Sequence, residues 1–260
     1  MSWRTIRLEQ GKDAVATITL ERPDSLNALS AEMLEELRRA IEPANLAGAR
    51  CLLLTGSGRG FSSGADLGGS KDVVPGDVGA ALEKYYNPLV LSLAALPIPF
   101  VAAVNGPAAG AGASLALSAD IVIAARSAYF LQAFVNIGLI PDAGATWLLP
   151  RLAGRARAME MMMLGERIPA EKALEWGMIA CVVDDAELAA EAHALAARLA
   201  AGPTAALALI RRLARDSAQL PLADALAAER VAQSEAGRTA DFREGAMAFL
   251  HRKPPRFEGR

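Results

Sequence analysis

Short apolar runs alternate with amphipathic stretches along the N-terminal part of the chain. Val15–Leu20 (VATITL) is rich in β-forming residues, while residues 51–55, Phe100–Val104 and residues 121–124 are continuous apolar runs. Apolar runs of this length are typical of strands covered on both faces, as in parallel sheets. Residues 181–184 (CVVD) predict a further strand. The pattern therefore indicates a largely parallel sheet.

An amphipathic helix is predicted between the first two of these strands. Ser30 is placed as its N-cap, with Leu29 and Leu34 forming a hydrophobic staple across it. Glu32 lies in the first turn, where a negative charge is favourable for the helix dipole. The helical pattern continues as far as Pro43.

The C-terminal part of the chain has a different pattern. After Asp185 the sequence is Ala-rich and helical, with breaks at Gly202–Pro203 and at Pro221. Strands that alternate with helices and then give way to helices predict an α/β fold with an added helical region. We place the α/β core at residues 1–195 and the C-terminal helical region at residues 196–260.

Composition and charge narrow the classes of function. The 260 residues are 53% hydrophobic with a net charge of −2, so the chain has no basic surface typical of nucleic-acid binding. Residues 85–119 carry no charge, but prolines interrupt them, which favours buried core segments over a membrane span. No secretory signal pattern is present, and Cys51 and Cys181 are expected to be buried free thiols. A cytoplasmic location is therefore expected.

Two glycine-rich loops follow predicted strands. Residues 56–66 read GSGRGFSSGAD, and residues 105–112 read NGPAAGAG. Each loop is expected to direct backbone N–H groups, near Ala65 and at the helix start around Ala111, into the space beyond the strand ends. Two such donors on one oxygen atom would form an oxyanion hole. Neither loop has the spacing of a phosphate-binding or dinucleotide-binding motif, and plain tight turns stay an alternative.

Asp142 is an isolated carboxylate in an apolar stretch, GLIPDAGATW at residues 138–147. Burying an unpaired carboxylate costs free energy or raises its pKa, so this position calls for a functional or structural reason. A structural alternative is that Asp142 caps the helix that begins near Gly144.

Six stretches together resemble the enoyl-CoA hydratase/isomerase (crotonase) family. They are ERPDSLNAL at 21–29, GRGFSSGADL at 58–67, AAVNGPAAGAGASLALSADIVIA at 102–124, IGLIPDAGATWLLPRLAG at 137–154, AEKALEWGMI at 170–179 and DFREGAMAFLHRKPPRF at 241–257. The resemblance implies a spiral core of ββα units with C-terminal helices, assembled as a homotrimer or a hexamer. It also implies an acyl-CoA thioester as substrate, with no metal and no other cofactor.

The resemblance also assigns site residues. The thioester oxygen would be held by the backbone amides of Ala65 and Ala111. The implied CoA-binding residues are Arg22, Leu26, Ser63, Asp66, Leu67, Phe249 and Lys253, the last two on the terminal helix. Residues 68–77 with Tyr85 and Tyr86 would shape the acyl pocket.

Departures from the family pattern bear on the reaction. The two glutamates that activate water in the family's hydratases are replaced here by Ser114 and Phe134, which leaves Asp142 as the acid/base candidate. The resemblance then implies an isomerase that converts 1,2-epoxyphenylacetyl-CoA to its oxepin in phenylacetate breakdown, or shifts the double bond of an enoyl-CoA. A hydratase, a non-catalytic acyl-CoA-binding protein and a dehalogenase stay as alternatives. Against the last of these, both histidines, His193 and His251, lie in the C-terminal part.

Overall fold

A computed structural model describes residues 3–68 and 77–260, and these form two sheets flanked by helices. The strands are β1 (Ile6–Gln10), β2 (Val15–Leu20), β3 (Cys51–Gly56), β4 (Phe100–Val104), β5 (Pro107–Ala109), β6 (Ile121–Ala125), β7 (Tyr129–Leu131), β8 (Arg167–Pro169) and β9 (Cys181–Val183). The larger sheet has the order β1-β2-β3-β4-β6-β9, and the smaller has the order β5-β7-β8. In the larger sheet only the β1–β2 pair is antiparallel. The predicted α/β class with a largely parallel sheet is confirmed.

Helices cover the sheets and make up the C-terminal region. They are α1 (Ala31–Ala40), α2 (Val78–Ala81), a π-helix (Leu82–Tyr86), α3 (Asn87–Ala94), α4 (Ala111–Leu117), α5 (Ala145–Leu164), α6 (Ala170–Glu175), α7 (Leu188–Ala200), α8 (Thr204–Asp216), α9 (Leu222–Ala236) and α10 (Ala240–Leu250). Short 3-10 turns lie at Pro23–Ser25, Ala133–Ile137 and Ser217–Gln219. Helix α7 contacts the larger sheet and runs across residue 195.

The structure confirms several predictions made from local sequence signals. The Ser30 hydroxyl accepts a hydrogen bond from the Met33 N–H at 3.2 Å, as expected of an N-cap, and α1 ends at Ala40. Helices α7, α8 and α9 are separated at the predicted Gly–Pro and Pro breaks. The uncharged stretch 85–119 supplies β4 and α4, whose residues are all buried.

One prediction about the cysteines is wrong. Cys51 is buried in β3, as expected, but Cys181 is exposed. Cys181 begins β9, a three-residue strand at the edge of the larger sheet that pairs only with β6. An apolar run on an edge strand is therefore not covered on both faces, in contrast to β3.

Arg211 of α8 connects the C-terminal region to the core. Its side chain, only 8% exposed, forms an ion pair with Asp120 at 2.7 Å. Its other N–H groups donate to the carbonyls of Leu93, Ala94 and Leu96 at 2.6–2.9 Å. The guanidinium thus links α8 to three carbonyl groups at and just beyond the end of α3.

Replacing Arg211 with alanine is expected to lower the free energy of unfolding by about 3 kcal/mol, because a buried guanidinium with an ion pair to Asp120 and hydrogen bonds to three carbonyls is lost. Denaturant unfolding measures the loss. The control is Arg212→Ala, next to it on α8, where the exposed pair with Glu235 should contribute less than about 1 kcal/mol. Equal losses in the two variants would contradict this account.

Within the described ranges, no single helix has the length and apolar composition needed to cross a membrane. By those two criteria alone, one bent pair passes, formed by Leu188–Ala200 and Thr204–Gln219 at an angle of 105°.

Candidate active site

The two glycine-rich loops are in close backbone contact at Gly64. Gly64 has a φ of +89°, in the left-handed region that favours glycine. A Cβ at this position would lie 2.7 Å from the carbonyl oxygen of Ala109 and 3.5 Å from the amide nitrogen of Ala111. The close approach therefore requires glycine at position 64, and it brings the Ala65 loop against the start of α4.

The amides of Ala65 and Ala111 are both available as donors. Neither N–H donates a hydrogen bond to any of the residues that the structure describes. Ala111 is the first residue of α4, where helical N–H groups lack intrahelical partners. The neighbouring backbone groups are already used. The Gly64 carbonyl accepts from the Leu29 N–H, and the Asp66 N–H donates to the Leu29 carbonyl. The arrangement leaves two free donors on adjoining backbone segments.

Asn27 and Ser62 fix the first loop, and the sequence analysis missed both. Asn27 is fully buried and its side-chain amide donates to the carbonyls of Ser57 and Gly60 at 2.9 and 2.8 Å. The buried Ser62 hydroxyl donates to the carbonyl of Asn27 and accepts from the Gly64 N–H. The sequence shows that these residues are polar, but it does not show that they become buried, and burial is what reveals their role.

Asp142 lies in the loop before α5 and is half-buried. Its Oδ1 atom is buried without a hydrogen-bond partner among the described residues. Burial raises the pKa of Asp142 from 3.8 to about 6, because the charged form loses solvation. A carboxylate with a pKa this close to neutrality is ionised at neutral pH and is basic enough to accept a proton there.

The structural alternative for Asp142, that its side chain caps α5, is wrong. The N-cap of α5 is Gly144, and no side chain caps this helix. The backbone carbonyl of Asp142, not its carboxylate, accepts the Ala145 N–H at 3.0 Å. The following residues Ala143 and Gly144 have φ values of +48° and +84°, so the loop has a strained turn at this point.

Ser114 and Phe134, at the positions of the hydratase glutamates, are both buried and have different partners. The Ser114 hydroxyl lies 3.1 Å from the Asp142 carbonyl and 3.2 Å from the Gly110 carbonyl, both of which can accept from it. The Phe134 ring lies 3.6 Å from where a Cβ on Gly110 would be. Ser114 therefore links α4 to the Asp142 loop, and the buried Phe134 ring packs near Gly110 at the start of α4.

Five of the seven implied CoA-binding residues lie together. Arg22 forms an ion pair with Asp66 at 2.8 Å and donates to the Ala28 carbonyl. The Ser63 N–H donates to the Leu26 carbonyl at 2.8 Å. Leu67 follows Asp66 and is 52% exposed. The segments around residues 22–28 and 63–67 thus form one side of the site.

Phe249 and Lys253 lie in the C-terminal region. Phe249 is near the end of α10 and is 83% exposed. Lys253 lies beyond the end of α10, so its expected place on the terminal helix is wrong. The structure does not connect either residue to the loops described above by a hydrogen bond or an ion pair among the described residues.

The predicted acyl-pocket segment is only partly described, because residues 69–76 lie outside the described residues. Tyr85 is half-buried, and Tyr86 is 8% exposed. The Tyr86 hydroxyl lies 3.4 Å from the Leu29 carbonyl oxygen. Leu29 in turn pairs with Ala65 in an isolated β-bridge.

Neither histidine is available to assist Asp142, which counts against the dehalogenase alternative. The ring of His193 contacts Asp13 at 2.8 Å, and the ring of His251 contacts the Met247 carbonyl. In the described part of the chain there is no group of three or more histidine, cysteine, aspartate or glutamate side chains placed to hold a metal ion.

Comparison with known proteins gives consistent matches over the whole chain. The family model for enoyl-CoA hydratase/isomerase matches residues 10–260. The chain is 50% identical over 258 residues to 1,2-epoxyphenylacetyl-CoA isomerase of Escherichia coli K12, covering 97% of this chain and 98% of that protein. It is 49% identical to a protein of Rhodobacter capsulatus described as "Probable enoyl-CoA hydratase", with full coverage of both chains.

The fold is also shared with solved structures of this family. The crystal structure of enoyl-CoA hydratase from Bacillus anthracis superposes with a TM-score of 0.90 at 32% identity, covering 99% of this chain and 100% of that chain. The expected crotonase fold is confirmed.

Proposed function

Because the chain belongs to the enoyl-CoA hydratase/isomerase family and is an enzyme of that family, we propose that it isomerises an acyl-CoA thioester with Asp142 as the acid/base. The reaction is the conversion of 1,2-epoxyphenylacetyl-CoA to its oxepin, or the shift of a double bond in an enoyl-CoA. The relative with 50% identity, which is named for the epoxide substrate, supports the first of these. No cofactor beyond the CoA of the substrate takes part.

The free amides of Ala65 and Ala111 are the proposed oxyanion hole. Hydrogen bonds from both to the thioester oxygen stabilise the enolate that forms when the adjacent carbon loses a proton. One such donor contributes about 3 kcal/mol to transition-state stabilisation. The close contact at Gly64 supports this role, because it holds the two amides on adjoining segments of backbone.

The observation that carries the proposal is the unpartnered, buried Oδ1 of Asp142, whose carboxyl has a pKa of about 6. Such a carboxylate removes the proton beside the thioester and returns it to a carbon further along the acyl group. A single shuttling group is sufficient, since the product has the same atoms as the substrate.

The remaining site residues bind CoA in this proposal. Arg22 and Leu26 contact the pantetheine or phosphates, and Ser63, Asp66 and Leu67 line the adenine pocket. Phe249 and Lys253 contact CoA from the same or a neighbouring subunit of a trimer or a hexamer of this chain.

Hydration is the second candidate, and the 49% identity to a hydratase-named relative favours it. Addition of water needs a group that positions the water molecule. The two positions that hold glutamates in the family's hydratases are occupied here by the Ser114 hydroxyl, which contacts backbone carbonyls, and by the Phe134 ring. We therefore rank isomerisation first.

Product mass distinguishes the two reactions. The wild-type enzyme is given 3-enoyl-CoA, 1,2-epoxyphenylacetyl-CoA generated in situ and crotonyl-CoA, in water labelled with oxygen-18. Isomerisation gives a product of unchanged mass from one of the first two substrates. Rapid formation of a labelled hydroxyacyl-CoA from crotonyl-CoA, without isomerisation, would show a hydratase instead.

The pH profile reports the ionisation of Asp142. We expect kcat/KM to increase about tenfold per pH unit below the pKa of about 6 and to level off above it, because the base must be ionised in the free enzyme. Initial rates between pH 4.5 and 8 test this. A profile that is flat from pH 5 to 7 would rule out Asp142 as a base with a raised pKa.

Ser114 is expected to position the Asp142 loop without contacting the substrate. Ser114→Ala should lower kcat about tenfold with little change in KM, the size expected for one lost hydrogen bond. Ser118→Ala is the matched control, because its hydroxyl donates to the Leu115 carbonyl of the same helix at 2.7 Å. If both variants changed kcat equally, the effect would belong to the helix and not to the contact with Asp142.

A further inference from the structure

Tyr86 has a buried hydroxyl whose bonding is weak. It is the last residue of the π-helix Leu82–Tyr86, and short π segments occur often at functional sites. Its side chain is 8% exposed, yet the hydroxyl reaches the Leu29 carbonyl only at 3.4 Å. Good O–H···O hydrogen bonds are near 2.7–2.8 Å, so this donor is held only loosely.

The helix face that carries Tyr86 meets the loop that contains Asp142. Val90 lies four residues after Tyr86, so the two share one face of the helix. A Cβ placed on Gly144, two residues after Asp142, would lie 3.7 Å from the Val90 side chain. On its other side Tyr86 contacts Leu29, which pairs with Ala65. Tyr86 is therefore placed between the amide loop and the Asp142 loop.

Burial and nearby negative charges keep the Tyr86 phenol protonated. Burial is the main cause of its raised pKa, and the nearby carboxylates of Asp142 and Asp66 raise it further. The hydroxyl is thus a neutral donor throughout the working pH range. Tyr86 thus offers a donor near the acceptor on Asp142, whose Oδ1 is unpartnered among the described residues.

We propose that the Tyr86 hydroxyl recognises an oxygen atom on the acyl group and so selects oxygenated ring substrates over linear hydrocarbon ones. The proposal rests on the proposed function, because it places the acyl group between the Ala65 loop and Asp142. The phenol leaves its long contact with Leu29 and donates a hydrogen bond to an ether or epoxide oxygen. No proton is transferred, and the interaction adds to binding and orientation.

A binding experiment tests this without catalysis. The probes are 2-methoxyphenylacetyl-CoA and 2-ethylphenylacetyl-CoA, which are similar in size and differ by an ether oxygen in place of a methylene group. Isothermal titration should show the wild-type enzyme binding the methoxy compound about five- to tenfold more tightly, the value of one hydrogen bond. Tyr86→Phe should bind both equally, and Tyr129→Phe, in β7, should keep the preference.

The outcomes separate this inference from the proposed function. No preference in the wild-type enzyme, or a preference retained in Tyr86→Phe, would overturn the role of Tyr86. An active Asp142→Asn variant would overturn the proposed base and leave the binding preference in place. Turnover gives a second readout, since Tyr86→Phe should lose about tenfold in kcat/KM with the epoxide substrate and less than about twofold with 3-enoyl-CoA.

Discussion

Asp142→Asn is expected to lower kcat for isomerisation by about a thousandfold, within the range found for loss of a general acid/base. The amide is nearly the same size as the carboxylate but cannot accept a proton at neutral pH. Binding of the acyl-CoA should change little, because the proposed CoA contacts lie on other segments. Steady-state kinetics measures the loss, and titration with an unreactive acyl-CoA measures the binding.

The same substitution should make the protein more stable at pH 8. The pKa of Asp142 is higher in the folded state, about 6, than its ordinary value of 3.8, so folding favours the protonated form. The cost of ionising it is absent below about pH 4 and fully present above about pH 6, where it is roughly 3 kcal/mol.

The Asp142→Asn variant avoids that cost, and its stability gain should disappear as the pH falls to about 4. Asp224→Asn, at an exposed position in α9, is the control and should leave activity unchanged. An inactive Asp142→Asn variant that is also less stable at pH 8 would indicate a structural carboxylate.

Gly64→Ala is expected to reduce kcat by about a hundredfold or more, comparable with loss of one oxyanion donor. The new Cβ would meet the Ala109 carbonyl at 2.7 Å, a contact that only a backbone shift can relieve. That shift separates the Ala65 and Ala111 amides. Isomerisation kinetics, with circular dichroism to confirm folding, tests the prediction.

Gly48→Ala is the matched control for Gly64→Ala. Its φ of +85° imposes similar backbone strain, but a Cβ there would meet no atom within 4 Å. It should lower stability by about 1 kcal/mol and leave kcat unchanged. Full activity in Gly64→Ala would show that the contact between the loops does not determine the position of the amides.

Much of the fold could be predicted from short-range patterns in the sequence. The cap at Ser30 and the continuous apolar runs of β3 and β4 are short-range patterns, and the structure reproduces them. Asp142 was also visible, because an unpaired charge in an apolar stretch is costly wherever the chain folds. These features depend on neighbouring residues in the sequence, and they could be predicted.

Features that depend on long-range contacts could not be predicted in this way. Strands β5, β7 and β8 of the smaller sheet have three residues each, too short for a periodic pattern. The Ser114 contact with the Asp142 carbonyl and the pairing of Arg22 with Asp66 join residues far apart in the chain. Cys181 shows the same limit, since an apolar run does not reveal whether its strand is central or at an edge.

The most direct test of the central claim follows the proton itself. An acyl-CoA substrate carrying deuterium on the carbon beside the thioester is converted in a single turnover in ordinary water, and the product is examined by mass spectrometry and NMR. If Asp142 removes and returns the same proton, part of the deuterium appears on the carbon further along the acyl group, and Asp142→Asn gives no product. Product that forms without any deuterium at that carbon, or forms at the normal rate in Asp142→Asn, would contradict the account.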